Sequence, residues 1–518
     1  MTIRQVIDGQ SGLPVPNSTK SYWHKEPSEK LLGHRTTADL PETADIVVVG
    51  SGITGAFAAH FLKHGKASGS KVVMLEAREA CWGATGRNGG HCQPIVYASA
   101  PAVAAFELET YLFLKNFVQE NNIPCDWVTL TGVHTFLTED IFELATAAVE
   151  NLEKRHPELA AQVEVVRPSD SGSGGEGATL ASLRVPNAKG AIVQKNAAAL
   201  WPYKLVAWVL EQLLDKFPAE GFNLQTNTPV TRLQRQESGS STDSPDSHGW
   251  ILTTPRGRIT AQTVLLCTNA YTSRLLPAFT DLIVPTRGQI AALIPPKGPG
   301  GEKEGAPAKL DHSYVFVGNQ PKSASNRDDY LVQRPIPAGE LIFGGGRQCA
   351  KGLAVGEWRD DDIEEPVSRW LRGQLSPPLD LAPGHPATDH SGPHGDEDKL
   401  LEASFEWTGI MGYSRDHSPW VGAVPESLGG GGAQGGLWIC GGYTGHGMPA
   451  AALCARAVIQ QIVDCDIEGS YWAALPVEFR LTDERLQSAR SRFGEVSEMQ
   501  KQGLVEMLSE FLSSSKEA

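Results

Sequence analysis

The sequence predicts an α/β fold of mixed α+β character, and three observations predict it. A short β-branched run in "ADIVVVGSGITGAFAAHFLKHG" turns through closely spaced glycines into a helical pattern. A second apolar strand, "KVVMLEA", follows that helix and ends in an acid. Apolar strands alternate with helical patterns towards both ends of the chain, as layered α/β architecture requires. At 518 residues the chain can bury a sizeable core, and length alone points to about two to four domains.

Residues 1–44 are polar apart from the aromatic knot "SYWHKEP", which predicts an arm laid over a domain and anchored by Trp23. Ile46 to Val49 then form a buried strand, and Ile53, Phe57 and Phe61 recur at helical spacing until Gly65 stops the helix. Between them lies Gly50-Ser51-Gly52-Ile53-Thr54-Gly55. Gly50 permits a tight turn, Gly52 lets backbone approach a pyrophosphate, and Gly55 lets helix and strand pack closely. Phosphates would face the unpaired N–H groups of the helix N-terminus. "KVVMLEA" delivers Glu76, followed by Ala77 and Arg78, where a carboxylate can accept the ribose hydroxyls. An acid there favours an unphosphorylated ribose, hence FAD or NAD.

The loop "GATGRNGGHC", Gly83 to Cys92, decides for FAD, whose ribityl and isoalloxazine parts need backbone donors beyond the pyrophosphate. Gly83, Ala84, Thr85, Arg87, Asn88, Gly89 and Gly90 supply N–H groups with little side chain in the way.

Composition narrows the partners. Forty-one per cent hydrophobic and 20 per cent charged residues describe a soluble globular chain. A formal charge of −15 disfavours nucleic acid and anionic membranes while leaving cationic small molecules open. No run approaches the roughly 20 apolar residues of a membrane span. The start lacks a signal-peptide pattern and "SSKEA" is no peroxisomal or retention signal, so a cytoplasmic location is expected. Eight scattered cysteines without a CxxC pair predict free thiols and no metal site. Segments 168–182, 238–249, 295–309, 376–398 and 428–436 read as surface insertions, and "RDDDIEE" (359–365) as a solvated helix face. "VSEMQKQGLVEMLSEFLSS" predicts a closing amphipathic helix.

With "GATGRNGG" in place, the chain resembles the D-amino-acid-oxidase-like flavoproteins, which include glycine oxidase, sarcosine oxidase and γ-glutamylputrescine oxidase. The likeness runs over residues 45–465 through "GAIVQKNAAALWPYKLV", "LQTNTPVTRL", "TVLLCTNAYTSRLLP", "PTRGQI", "DYLVQRPIPAGELIFGGGR", "WTGIMGYSRDHSPWVG" and "LWICGGYTGHGMPAAALCARAVIQQI". It implies a Rossmann-like FAD-binding domain interleaved with a substrate domain built on a large mixed or antiparallel sheet. The expected division is an arm (1–44), an FAD-binding domain (45–105, 190–275 and 405–465), a substrate domain (106–189 and 276–404) and a helical tail (466–518).

The resemblance adds Val230, Thr268, Asn269, Gly412, Gly442, Thr444, Gly445, His446, Gly447 and Met448 to the FAD contacts, with a helix starting near Gly447 aimed at the flavin. It implies an FAD-dependent amine oxidase, in which hydride passes from a C–N bond to flavin, the imine hydrolyses to an aldehyde or ketone, and oxygen becomes peroxide. An amino-acid oxidase, an amine dehydrogenase and a non-catalytic flavin binder stand as alternatives. The partners expected are a small amine and O2, with no nucleic acid or membrane.

His91, Tyr443 and His446 are the candidate catalytic residues. His91 reads as a flavin or substrate contact, as a covalent attachment point, or as a histidine bonding its own loop, and non-covalent FAD is the expectation. The cysteine linkage of sarcosine oxidase relatives should be absent, because Gly409 occupies that place. Where glycine oxidase relatives hold the substrate carboxylate with an arginine, "GIMGYSRD" presents Met411. An amine lacking an adjacent carboxylate is therefore expected, with Arg415 structural and Arg334 a possible substitute. Met411, Tyr413, Tyr314 and Tyr330 are the expected substrate contacts.

Overall fold

The computed structural model describes residues 9–168, 177–236, 249–296, 307–320, 325–381, 400–463, 474–492 and 503–517. The insertions 168–182, 238–249, 295–309 and 376–398 fall largely outside these residues.

Two sheets organise the chain. In the first, Thr43–Val49 runs parallel between Val72–Leu75 and Gly257–Leu266. Phe222–Gln225 and Leu437–Gly441 extend it in parallel on either side, and Trp420–Ala423 closes one edge antiparallel. Val47, Val48, Val72, Val73, Met74, Val264 and Leu265 are fully buried, which explains why these strands read as continuous apolar runs instead of alternating ones. The helix Ile53–His64 packs against Ala451–Ile462 and Pro202–Lys216 over this sheet.

The second sheet has nine strands. Its main path runs Ala403–Ser414, Ile283–Leu293, Leu341–Gly345, Arg327–Gln333, His312–Gly318, Val128–Phe136, Gly190–Ala199, His91–Cys92. All its pairings are antiparallel except His312–Gly318 with Val128–Phe136.

This pairing runs across the expected division in three places. His91–Cys92, Gly190–Ala199 and residues 405–414 were expected in the cofactor domain, yet they pair in the second sheet with Gly190–Ala199, Val128–Phe136 and Ile283–Leu293 respectively. The helix Pro101–Glu120 also runs across the expected boundary at 105/106.

The arm docks through its aromatic knot. Trp23 is fully buried, donates its indole N–H to the Asn88 carbonyl (2.5 Å), and its own carbonyl accepts from Trp201 (2.8 Å). Tyr22, Trp201, Phe405 and Trp407 complete the aromatic cluster. The closing helix runs Leu504–Glu517 and packs on Glu139–Arg155.

Candidate cofactor and substrate site

A cavity of about 440 Å³ is lined by residues of both sheets. One end is built by the glycine turn. Gly50 holds φ +105°, and a Cβ there would meet the Cys267 carbonyl oxygen at 2.7 Å. A Cβ on Gly55 would lie 1.9 Å from the Gly50 carbonyl oxygen, so only glycine lets the helix start this close to the turn. The Glu76 carboxylate accepts from Ser51 N (3.0 Å) and Oγ (2.6 Å) through one oxygen and from Arg78 N (2.9 Å) through the other. A carboxylate has about four acceptor positions, which leaves capacity for a ribose hydroxyl.

The loop that follows is a short 3-10 turn, Ala84–Arg87. A Cβ on Gly89 would strike the Tyr330 ring at 2.1 Å, and one on Gly90 would strike Trp23 at 2.6 Å. Its glycines thus admit aromatic rings as well as offering N–H groups. Arg87 is almost wholly buried and donates to the Thr408 and Thr19 carbonyls, both at 2.6 Å. It shares Asp360 with Arg78: Arg78 Nη1 lies 3.0 Å from both carboxylate oxygens, and Arg87 Nε 3.2 Å from one. Asp360 is fully buried, which corrects the reading of 359–365 as a solvated helix face. Two guanidinium groups supply the countercharge that lets it leave water.

Of the expected residues, all line the cavity except Gly55, Gly90, Gly412, Gly442 and Tyr314. The glycines stand just behind it. A Cβ on Gly412 would press on Asn269 Oδ1 (2.6 Å), and Gly442 N donates to that same oxygen (2.9 Å), so the pair fixes Asn269. Tyr314 is a correction. Its ring stacks with Phe316 in the core beneath the second sheet, and Val315, directly opposite Tyr330, lines the cavity in its place.

Around the reacting end, Tyr443 Oη lies 3.0 Å from Thr54 Oγ1 and 3.2 Å from Cys440 Sγ. The turn Gly445–Ala450 precedes a helix that starts at Ala451. His446 Nε2 lies 3.2 Å from Glu107 Oε2, a buried carboxylate oxygen that also accepts from Ile95 N (2.9 Å). His91 Nε2 sits 3.0 Å from Ser313 Oγ. Burial, with His446 nearby, lowers His91 to about 4, so the imidazole is neutral near pH 7. Behind it, His134 is lowered to about 3, first by burial. The Gln93 and Gln194 amides converge on His134 Nε2 at 2.8 and 3.1 Å, leaving its Nδ1 proton for Tyr97 Oη at 2.6 Å.

Met411 faces the cavity, its sulfur 3.1 Å from where a Gly445 Cβ would be. Arg415 turns away to the Ala489 carbonyl (2.9 Å), as a structural arginine does. Arg334 is held by Asp126 and lies over Trp23 and Trp201, outside the cavity. Two arginines enter near the substrate strands: Arg287, on the strand Ile283–Leu293 and paired with Glu364 (2.5 Å), and Arg347, over the Tyr413 ring (5.2 Å) and beside Asp328, whose carboxyl burial pushes up to about 7. Neither was singled out from the sequence. Glu107 was missed as well, because it lies in a helix far in sequence from its partner His446.

A glycine cradle that a Cβ would fill, an acid at the next strand end, and a cavity continuing past the loop 83–91 together fit FAD and define a flavin-dependent oxidoreductase. The chain belongs to the DAO family of FAD-dependent oxidoreductases, whose model matches residues 45–461. It is 23% identical over 439 residues to the probable oxidoreductase OrdL of Rhizobium meliloti, covering 80% of this chain and 81% of that one. It is 24% identical over 388 residues to the tRNA-modifying bifunctional protein MnmC of Shewanella amazonensis, covering 74% of this chain but 48% of that longer protein, about half its length. Among solved structures it shares its fold with glycine oxidase from Geobacillus kaustophilus (TM-score 0.57, 16% identity, 84% of this chain and 99% of that one). It likewise matches L-amino acid deaminase from Proteus vulgaris (TM-score 0.58, 15% identity, 88% and 99%). The protein is therefore an FAD-dependent oxidoreductase. No described helix is long and apolar enough to cross a membrane.

Proposed function

We propose that the substrate is an amine without an adjacent carboxylate, and that O2 accepts the electrons and leaves as peroxide. The observation that carries the substrate reading is Met411, an apolar thioether facing the cavity beside the loop Gly445–Met448, while Arg415 turns away. A methionine offers a carboxylate neither charge nor donor. FAD, when bound, supplies the two-electron acceptor for the C–N bond. The protein's part is to hold the amine and keep the reacting end dry. Neutral His91 presents an imidazole in place of a cation, and Glu107 fixes the His446 ring. Tyr330 and Tyr413 wall the pocket. Thr54, Thr85 and the Glu76-braced turn would hold the dinucleotide.

A second reading rests on Arg347: an α-amino acid whose carboxylate reaches that guanidinium. Asp328 beside it supplies an opposing charge, which makes this the weaker reading. Anaerobic titration separates the two, following flavin bleaching near ~450 nm, a property of the cofactor. Amines bleaching the flavin while glycine, sarcosine and D- or L-amino acids do not supports the first reading. Bleaching by amino acids alone refutes it. In the variant Met411→Arg the preference should swing towards amino acids, because a guanidinium would now stand where a carboxylate could meet it.

A further inference from the structure

The family-matched region ends at residue 461, yet the cavity is completed by residues far beyond it. Gly503, Leu504 and Met507 of the closing helix line it, on the side held by Asp328, Arg347 and Tyr413. A Cβ on Gly503 would lie 3.5 Å from Asp328 Oδ2, so the start of the helix runs beside that carboxylate. Leu504, Leu508 and Phe511, spaced along one stripe, sink into the cluster formed by Phe136, Phe142, Ala145 and Val149. Leu504, at the edge of that stripe, and Met507, partly buried against the same cluster, are the side chains of the helix that line the cavity. One turn further, Glu510 lies 3.7 Å from His417, in the loop that follows the strand carrying Met411 and Tyr413. The helix is thus seated by core packing independently of any ligand.

From this we infer that the closing helix is the specificity wall of the substrate site, Leu504 and Met507 setting how long an apolar group the substrate carries beyond its reacting carbon. The inference takes from the amine reading only the choice of test substrates. One methylene in an apolar pocket is worth about 10- to 200-fold in discrimination, so a change of side-chain size at 507 has a readable effect.

The test uses the full-length, FAD-loaded protein and its variants Met507→Ala, Met507→Trp and Ser509→Ala, the last at an exposed position of the same helix. The specificity constant kcat/KM is measured across linear primary amines from propyl to octyl, and across α-amino acids of matching side-chain length. Met507→Ala should favour longer substrates over short ones by about tenfold or more, Met507→Trp should reverse this, and Ser509→Ala should keep the parent profile. Where Met507→Trp fails to retain FAD, Met507→Phe asks the same question. Amines that reduce the flavin with a profile unmoved by either Met507 change overturn the wall and leave the amine reading standing. Reduction by amino acids only, with a profile that does move, overturns the amine reading and leaves the wall. Reduction by neither series overturns both.

Discussion

Asp360 offers the sharpest test of how the loop 83–91 is held. It is fully buried, and its carboxylate meets Arg78 and Arg87 at 3.0–3.2 Å, while its backbone carbonyl accepts from Thr19 N (2.7 Å) in the arm. Asp360→Ala would leave two buried guanidinium groups without their shared countercharge. Breaking a buried pair from one side costs about 3–5 kcal/mol. Here the lower figure applies, because Arg87 keeps its carbonyl partners at 2.6 Å and Arg78 Nη2 keeps the Trp82 carbonyl at 2.7 Å. Unfolding entropy of about 2.1 cal/mol/K per residue gives about 1.1 kcal/mol/K for a chain of 518 residues unfolding as one unit. A loss of about 3 kcal/mol then lowers the melting temperature by about 3 °C. Asp360→Asn keeps the shape and should lose less. The assay is a thermal ramp on the FAD-loaded protein, followed by flavin fluorescence. It is paired with FAD titration of the apoprotein, where the dissociation constant should rise about tenfold, equivalent to about 1.4 kcal/mol. A variant that melts within about 1 °C of the parent and binds FAD equally well would show that the two arginines need no help from Asp360.

Four further outcomes are expected. Gly55→Ala should yield protein without bound FAD, read from the ratio of flavin to protein absorbance, because the new methyl would overlap the Gly50 carbonyl. The carboxyl of Asp328 loses its proton near pH 7, so kcat/KM for a cationic amine should rise through that pH, and Asp328→Asn should flatten the limb. His134 is 2% exposed and held near 3, so between about pH 3 and 6.5 the unfolded chain binds a proton that the folded one refuses. Stability should therefore fall as pH drops below 6.5, by about 1.4 kcal/mol per pH unit from this group, and urea midpoints of His134→Gln should show a shallower slope. Deleting residues 1–15 should speed FAD release by about tenfold in a dilution assay, because Leu13 and Pro14 line the cofactor end of the cavity.

The cofactor half of the site was legible because its constraints are local. Glycine spacing, one strand, one helix and the acid at the next strand end lie within a single βαβ unit, where sequence distance and spatial distance agree. The substrate half depends on which strands become neighbours, and periodicity alone does not give that. Tyr314 shows the difference. Tyr330 faces the cavity and pairs with Val315, so the alternation of the strand His312–Gly318 sends Tyr314 and Phe316 to the other face. The alternation was present in the sequence, but the register that anchors it was not. Asp360, Glu107 and Arg347 were missed for a related reason, since each has its meaning from a partner in another element.

The same contrast separates what the family contributes from what this chain adds. The matched residues 45–461 build the glycine turn, the loop 83–91, Met411 and the turn at Gly445, which together form the walls of the cavity where the dinucleotide and its substrate would meet. Segments outside that range cover the two ends. The arm reaches the cofactor end through Leu13 and Pro14, and Ser11 N donates to Ser273 Oγ at 2.9 Å to hold it there. The closing helix reaches the substrate end through Leu504 and Met507. Both covers are seated by buried aromatic or aliphatic side chains, Trp23 in one and Leu508 and Phe511 in the other, so their positions are set by folding before any ligand arrives. A cavity closed this way selects its substrate by the shape of its cover, while the electron transfer itself draws on residues shared with the rest of the fold.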